Sequence, residues 1–152
     1  MEYTEAKKGR IFVARLREGE EVYPAIESLA EKEKISAAVI WILGGVAEGK
    51  VVCGPQLPVT SPIQAISRTF EHPSELLGIG TLFPDTDGVP KLHLHSAIGR
   101  IEKIIVGCPR EGLKTFLILE IIIQELTGAD IARKPDPISG FKLLSLANPK
   151  IL

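Results

Sequence analysis

The sequence predicts an α+β protein, a mixed or antiparallel sheet of six to seven strands covered by one main helix. Short apolar runs rich in Val and Ile recur along the chain, each bounded by Gly, Pro, Asp or Ser, which is the signature of strands joined by turns. Only residues 20–34 carry apolar positions at helical spacing. The 152 residues are 45% hydrophobic and 24% charged with a formal net charge of −1, the profile of an ordinary folded chain able to bury a core. Residues 1–152 therefore read as one domain.

Residues 10–16 (RIFVARL) open as a strand. The helix over 20–34 sets Val22, Ile26, Leu29 and Ala30 on one stripe and Glu27, Glu31 and Lys32 on the other. Residues 36–43 (SAAVIWIL) form a central strand, which Gly44-Gly45 breaks or bends before it resumes over 49–53. The proline-rich stretch 55–62 is a loop. Residues 75–83 (ELLGIGTLF) make a further strand, loosened by Gly78 and Gly80, and Pro84-Asp85-Thr86-Asp87-Gly88 has the chemistry of a turn. Strands over 91–98 and 103–108 form a hairpin, and 141–146 closes the sheet. The segment 115–126 (TFLILEIIIQEL) is apolar on both faces, so it is buried or faces another subunit. One helix leaves apolar sheet surface over, and a symmetric homo-oligomer is the simplest cover.

The chemistry concentrates in Lys91-Leu92-His93-Leu94-His95 and in Cys108. On a strand, His93 and His95 point to one face and can offer two nitrogens to one ion; zinc is the metal best suited to mixed His and Cys ligands. If Arg100 and Ile101 form a two-residue hairpin loop, Gly99 pairs with Glu102 and His93 falls opposite Cys108 on the same face. The bland alternative leaves two exposed histidines and a small buried thiol. His72, in Phe-Glu-His-Pro, is the alternative third ligand. Glu75, at a strand start, and Glu120, a charge in the middle of the apolar run 115–126, are the candidate acid–base groups; Glu120 reads equally as an ion-pair partner at a subunit interface or an acceptor for a histidine N–H. Arg100 is a candidate anion-binding group. Cys53 reads as buried and inert. The polar first ten residues lack a signal or membrane segment, and the two distant cysteines suit a reducing cytoplasm.

The order of motifs carries a resemblance. Glu18-Gly-Glu-Glu-Val22 opens the helix; SAAVIWILGGV follows, then Ser74-Glu-Leu-Leu-Gly-Ile-Gly-Thr81, an Asp/Gly turn, Leu92-His-Leu-His-Ser96, Val106-Gly-Cys108 and Gly140-Phe-Lys-Leu-Leu144. From about residue 9 to 146 the chain resembles the plant and prokaryote conserved (PPC) domain. The resemblance implies a homotrimer of single α/β domains, with acetolactate decarboxylase, whose zinc is held by three histidines, as a distant structural relative. In that family the residue after Gly107 is typically His; here it is Cys108, followed by Pro109.

Plant members bind DNA through a separate Arg-Gly-Arg-Pro hook, which this chain lacks. Its basic residues are dispersed, with no run longer than Lys7-Lys8. Phosphate contacts leave a basic footprint, which the sequence does not show, although local sets such as Arg100, Lys103, Arg110 and Lys114 can cluster in three dimensions. Three readings follow: a zinc-binding, trimer-forming domain that takes a small anionic ligand; a DNA-binding regulator; and a zinc-dependent lyase or hydrolase acting on a small carbonyl acid.

Overall fold

The computed structural model describes residues 1–57 and 63–152, so most of the loop expected at 55–62 lies outside the described residues. In chain order the elements are β1 (Glu2–Tyr3), β2 (Lys7–Arg17), α1 (Val22–Glu33), β3 (Ala38–Pro55), β4 (Ala65–Phe70), β5 (Ser74–Pro84), β6 (Pro90–Arg100), β7 (Lys103–Thr127), β8 (Ile131–Pro135), β9 (Lys142–Leu146) and β10 (Lys150–Ile151). The main sheet has six antiparallel strands in the order β2-β7-β6-β5-β3-β4, and β7 also pairs with β3. The cycle β7-β6-β5-β3 therefore closes on itself. The α+β class is as the sequence predicts, with one helix among the described residues.

The helix forms where the apolar stripe falls. Val22, Ile26 and Ala30 are buried, and Lys34 ends the helix in the left-handed region with its N–H returned to Glu31. Glu27 departs from the expected solvent stripe. Its carboxylate accepts the backbone N–H of Leu92 and the ammonium of Lys91, each at 3.0 Å, and so ties α1 to β6.

Two strands are longer than the sequence suggests. Residues 103–108 and 115–126 belong to one strand of 25 residues, β7, and β3 runs for 18 residues through Gly44-Gly45. The diglycine does not break β3. It allows close crossing: a Cβ on Gly44 would strike the Ile118 carbonyl oxygen, and one on Gly45 that of Phe116. The register slips repeatedly along this β3–β7 crossing, and Leu117 there adopts a φ of 58°. β4, absent from the sequence reading, pairs with the distal half of β3. Residues 142–146 do not close the main sheet; they pair with β8 in a separate hairpin that the sequence reading did not contain, because Ile131–Pro135 is half polar.

Burial alternates along the strands. Ile40, Ile42, Leu76, Leu82, Leu92, Leu94, Leu119, Ile121 and Ile123 fill the core with the helix stripe. The segment 115–126 is thus one-sided: Ile118, Glu120 and Ile122 are exposed, and Glu120 is not the interior charge the sequence suggested. The outward face remains apolar. Val13, Ile122, Trp41, Ile79 and His95 form one cross-strand row over five strands. Leu43, Leu77 and Val106 lie in the next row, and each is about half exposed or more.

Polar anchors are few. On β7, Glu125 receives Arg10 in a fork, Nε to Oε2 at 2.8 Å and Nη2 to Oε1 at 2.9 Å, and also accepts the backbone N–H of Arg10. The hydrogen bonds from the Arg10 side chain, opposed by desolvation, hold the Glu125 carboxyl down at about 2, against an ordinary value of 4.5. A depressed carboxylate stabilises the fold at neutral pH, and that stabilisation is lost as pH falls from about 4.5 toward 2. Glu125→Gln should cost roughly 1–2 kcal/mol at pH 7 and flatten the loss of stability across that acid window. Urea titrations at pH 7 and pH 3 check both arms; equal loss in the wild type and the variant between the two pH values would refute the assignment.

Glycines at the β6–β7 hairpin make opposite predictions. A Cβ on Gly99 would meet the Ile104 side chain at 3.6 Å, ordinary contact, whereas one on Gly107 would fall on the Val52 carbonyl oxygen. Gly99→Ala should change stability by less than about 1 kcal/mol, and Gly107→Ala should lower it by about 2–3 kcal/mol or more. Comparable urea midpoints for the two variants would contradict the close approach.

Candidate metal centre

The β6–β7 hairpin positions the site. Its observed pairs run from Arg100↔Lys103 to Ser96↔Gly107, with Ile101 and Glu102 as the turn and Ile101 at a φ of 54°. The expected loop was Arg100-Ile101, so the register is offset by two residues. An offset of two preserves the face. Cys108 thus continues toward His95 rather than His93, and still shares their side of the sheet. At Cys108, β7 leaves β6 and pairs with Val52 of β3. The thiol is buried at that corner, while His93 is half-buried and His95 exposed.

One ligand atom from each of His93, His95 and Cys108 lies within 4.8 Å of the others. The two histidine Nε2 atoms are 3.2 Å apart, with their rings nearly perpendicular. Tetrahedral zinc with Zn–N bonds of about 2.1 Å separates two nitrogens by about 3.4 Å, so the pair is spaced as ligands of one ion would be. The donor set fits zinc.

The electrostatics also suit a metal ligand. Burial, reinforced by Arg133, His95 and Arg110, lowers the His93 pKa to about 4, so its imidazole is neutral at pH 7. Burial, followed by the nearby Cys108, pushes the Tyr23 phenol up; its hydroxyl donates to the Pro109 carbonyl and joins α1 to the residue after the cysteine.

A cavity of about 810 Å³ opens beside His93 and Cys108. Its inner wall comes from β5, β6 and Tyr23, and its outer wall from the β8–β9 hairpin, through Arg133, Phe141, Leu143 and Leu144. Two polar contacts moor that hairpin: Arg133 Nη2 donates to Thr81 Oγ1 at 2.7 Å, and Lys142 Nζ lies 3.6 Å from Asp85. A second hollow of about 380 Å³ reaches His95 and Cys108 past Cys53 and Val106. Cys53, expected to be buried, is exposed; it falls at the register shift between Val52 and Gly54 in the β3–β4 pairing, which breaks the alternation that buries Val51.

The remaining candidates lie elsewhere. Glu75 pairs with Gly99, four residues along β6 from His95, or about 13 Å away at strand rise. Glu120 lies opposite Arg15 and Leu43, three strands from β6 or roughly 14 Å away. Neither carboxylate reaches the three ligands within one chain. His72 and Arg100 share a different cavity, of about 510 Å³, beyond the turn end of β6. The basic residues 100, 103, 110 and 114 do not gather: Arg100 and Lys103 face each other at the turn, Arg110 lines the metal-side cavity, and Lys114 is 2.7 Å from Glu48. Sequence reasoning missed Tyr23 and Arg133. Tyr23 was hidden inside a helix register, and Arg133 within a short polar segment whose strand pairing depends on β9.

Comparison with known proteins places the chain. No curated protein matches it. Among solved structures, a metal-containing protein from Archaeoglobus fulgidus superposes with a TM-score of 0.80 at 23% identity, covering 94% of this chain and 98% of the other. A plant- and prokaryote-conserved (PPC) protein from Pyrococcus horikoshii gives 0.77 at 27% identity, covering 96% and 100%. A candidate DNA-binding protein from Ralstonia eutropha gives 0.73 at 21% identity, covering 89% and 90%. The family profile of the same domain matches residues 3–127, and with the shared fold this assigns the chain to the Plants and Prokaryotes Conserved (PCC) domain family.

Proposed function

We propose that this chain is a zinc-binding PCC-domain protein that works as a self-assembled trimer, with His93, His95 and Cys108 as the ligands. The observation that carries the reading is the convergence of three suitable donor atoms, from two strands, within 4.8 Å of one another. The metal-containing relative from Archaeoglobus fulgidus supports it. A three-ligand zinc leaves an open position at which water or a carbonyl oxygen can be polarised. His93 and His95 orient each other edge to face, Cys108 supplies the anionic donor, and Tyr23 pins the Cys108-Pro109 corner. The outward apolar rows around Trp41, Ile79 and Ile122 support self-assembly, since exposed patches of this kind mark interfaces. A second reading, DNA binding, is favoured by the Ralstonia eutropha relative but opposed by the scattered basic residues.

Elemental analysis of the purified protein should give close to one zinc per chain, falling to a small fraction in His93→Ala, His95→Ala and Cys108→Ala. Cys108→His should keep the metal, and His72→Ala should match the wild type. Near-stoichiometric zinc in Cys108→Ala, or its loss in His72→Ala, would overturn the ligand assignment.

Light scattering at micromolar concentration should report three times the chain mass of 16.5 kDa. Ile122→Lys, which plants a charge in the apolar row, should reduce that mass or abolish soluble expression. A wild-type particle of single-chain mass ends the assembly proposal. For the second reading, labelled duplex titrated at low salt should show no binding below micromolar protein; tight binding with a steep salt slope would instead establish it.

A further inference from the structure

We infer that the cavity beside His93 and Cys108 receives the carboxylate of a small organic acid with an apolar body, anchored by Arg133 with Arg110 as second cation. The inference rests on the metal reading for the placement of the ligand's far end, and on four observations of its own for the carboxylate.

Charge is the first. Lys91, Arg110, Arg133 and Lys142 line the cavity, and among the described residues no Asp or Glu does. The lysines are already matched, Lys91 with Glu27 at 3.0 Å and Lys142 with Asp85 at 3.6 Å. Among the described residues, neither arginine forms an ion pair with a carboxylate. A divalent ion held by one thiolate and two neutral imidazoles remains positive, so the loaded site would add to this surplus rather than cancel it.

The second is the setting of Arg133. One Nη donates to Thr81, and its Nε is buried with no hydrogen-bond partner. A guanidinium half-buried with an unmet donor is costly unless an acceptor arrives, and a planar carboxylate is the acceptor that fits its fork. The third is rigidity: Arg133 stacks over Phe83 and Arg110 over Phe141, each 5.5 Å from the ring centroid, so both charges are held on aromatic plates. The fourth is the remainder of the lining. Phe83, Leu92, Phe141, Leu143 and Leu144 offer an apolar surface to the ligand's body, and about 810 Å³ lies within the usual range for a small-molecule site. An inorganic anion would leave that surface unused. Arg100, the anion-binding candidate of the sequence, sits in the separate cavity at the turn and is not part of this site.

The test is isothermal titration of the zinc-loaded full chain with benzoate, butyrate and inorganic phosphate. Zinc content and melting temperature are measured on every variant. Benzoate should bind more tightly than butyrate, and phosphate weakly or not at all. Arg133→Gln should weaken benzoate by about tenfold or more, and Arg133→Lys, which keeps the charge but loses the fork, by a smaller factor, both with zinc content unchanged. Phe141→Ala should weaken benzoate more than butyrate, a difference that general loosening of the hairpin would not produce. Full-strength benzoate binding in both Arg133 variants overturns the inference, as does the absence of benzoate binding to a zinc-replete wild type; in either case the metal reading stands. Phosphate binding that depends on Arg133, without benzoate binding, overturns the carboxylate assignment. Arg133-dependent benzoate binding by a wild type that carries no zinc supports the carboxylate site and defeats the metal reading alone.

Discussion

The architecture of the site depends on one change of partner. Up to Gly107, β7 is bonded to β6; from Cys108 onward it is bonded to β3. The switch requires the backbone of β7 to pass so close to Val52 that no side chain fits at position 107. That approach sets the next residue at a corner, where its buried thiol lies close to two imidazoles delivered by the straight run of β6. Without it, Cys108 would be one more alternating position on a hairpin.

Around this corner the protein joins its elements by polar contacts as well as by the shared core. Glu27 ties the helix to β6, Tyr23 ties it to Pro109, and Arg133 and Lys142 tie the terminal hairpin to β5 and the turn after it. The same groups shape the local field. Basic side chains surround the triad, and their repulsion adds to burial in keeping His93 unprotonated. A histidine in that state is a ready ligand and a poor cation, so the field and the geometry act in the same direction.

Local chemistry was legible in the sequence where a single strand or helix decides the outcome. The alternation of LHLHS fixed the shared face of His93 and His95, the stripe of Val22, Ile26 and Ala30 fixed the helix, and the Gly-Cys spacing brought the third donor to the right side even with the hairpin offset by two residues. The two-residue error cancelled because side chains in a strand repeat every second position. Features that depend on distant partners were not legible. The diglycine of β3 reads as a break until the carbonyls of β7 are seen against it, and Ile131–Pro135 reads as loop until β9 is laid alongside. Glu120 looked internal because its neighbours are apolar on both sides, yet the outward half of those neighbours is exposed in the single chain.

The pairing of β2 with the far half of β7 bears on how the chain is made. Lys7 meets Thr127 and Arg17 meets Ile118, so the partner of the first long strand is synthesised more than a hundred residues after it. During elongation, β2 must wait with both edges unpaired while the intervening strands emerge, since among the described residues its neighbour in the main sheet is β7. Its charged ends, Lys7-Lys8 and Arg15 to Arg17, discourage premature edge-to-edge association in that interval. Long-range closure of this kind slows folding relative to local contacts, so β2 stays unpaired until residues 118–127 have been made.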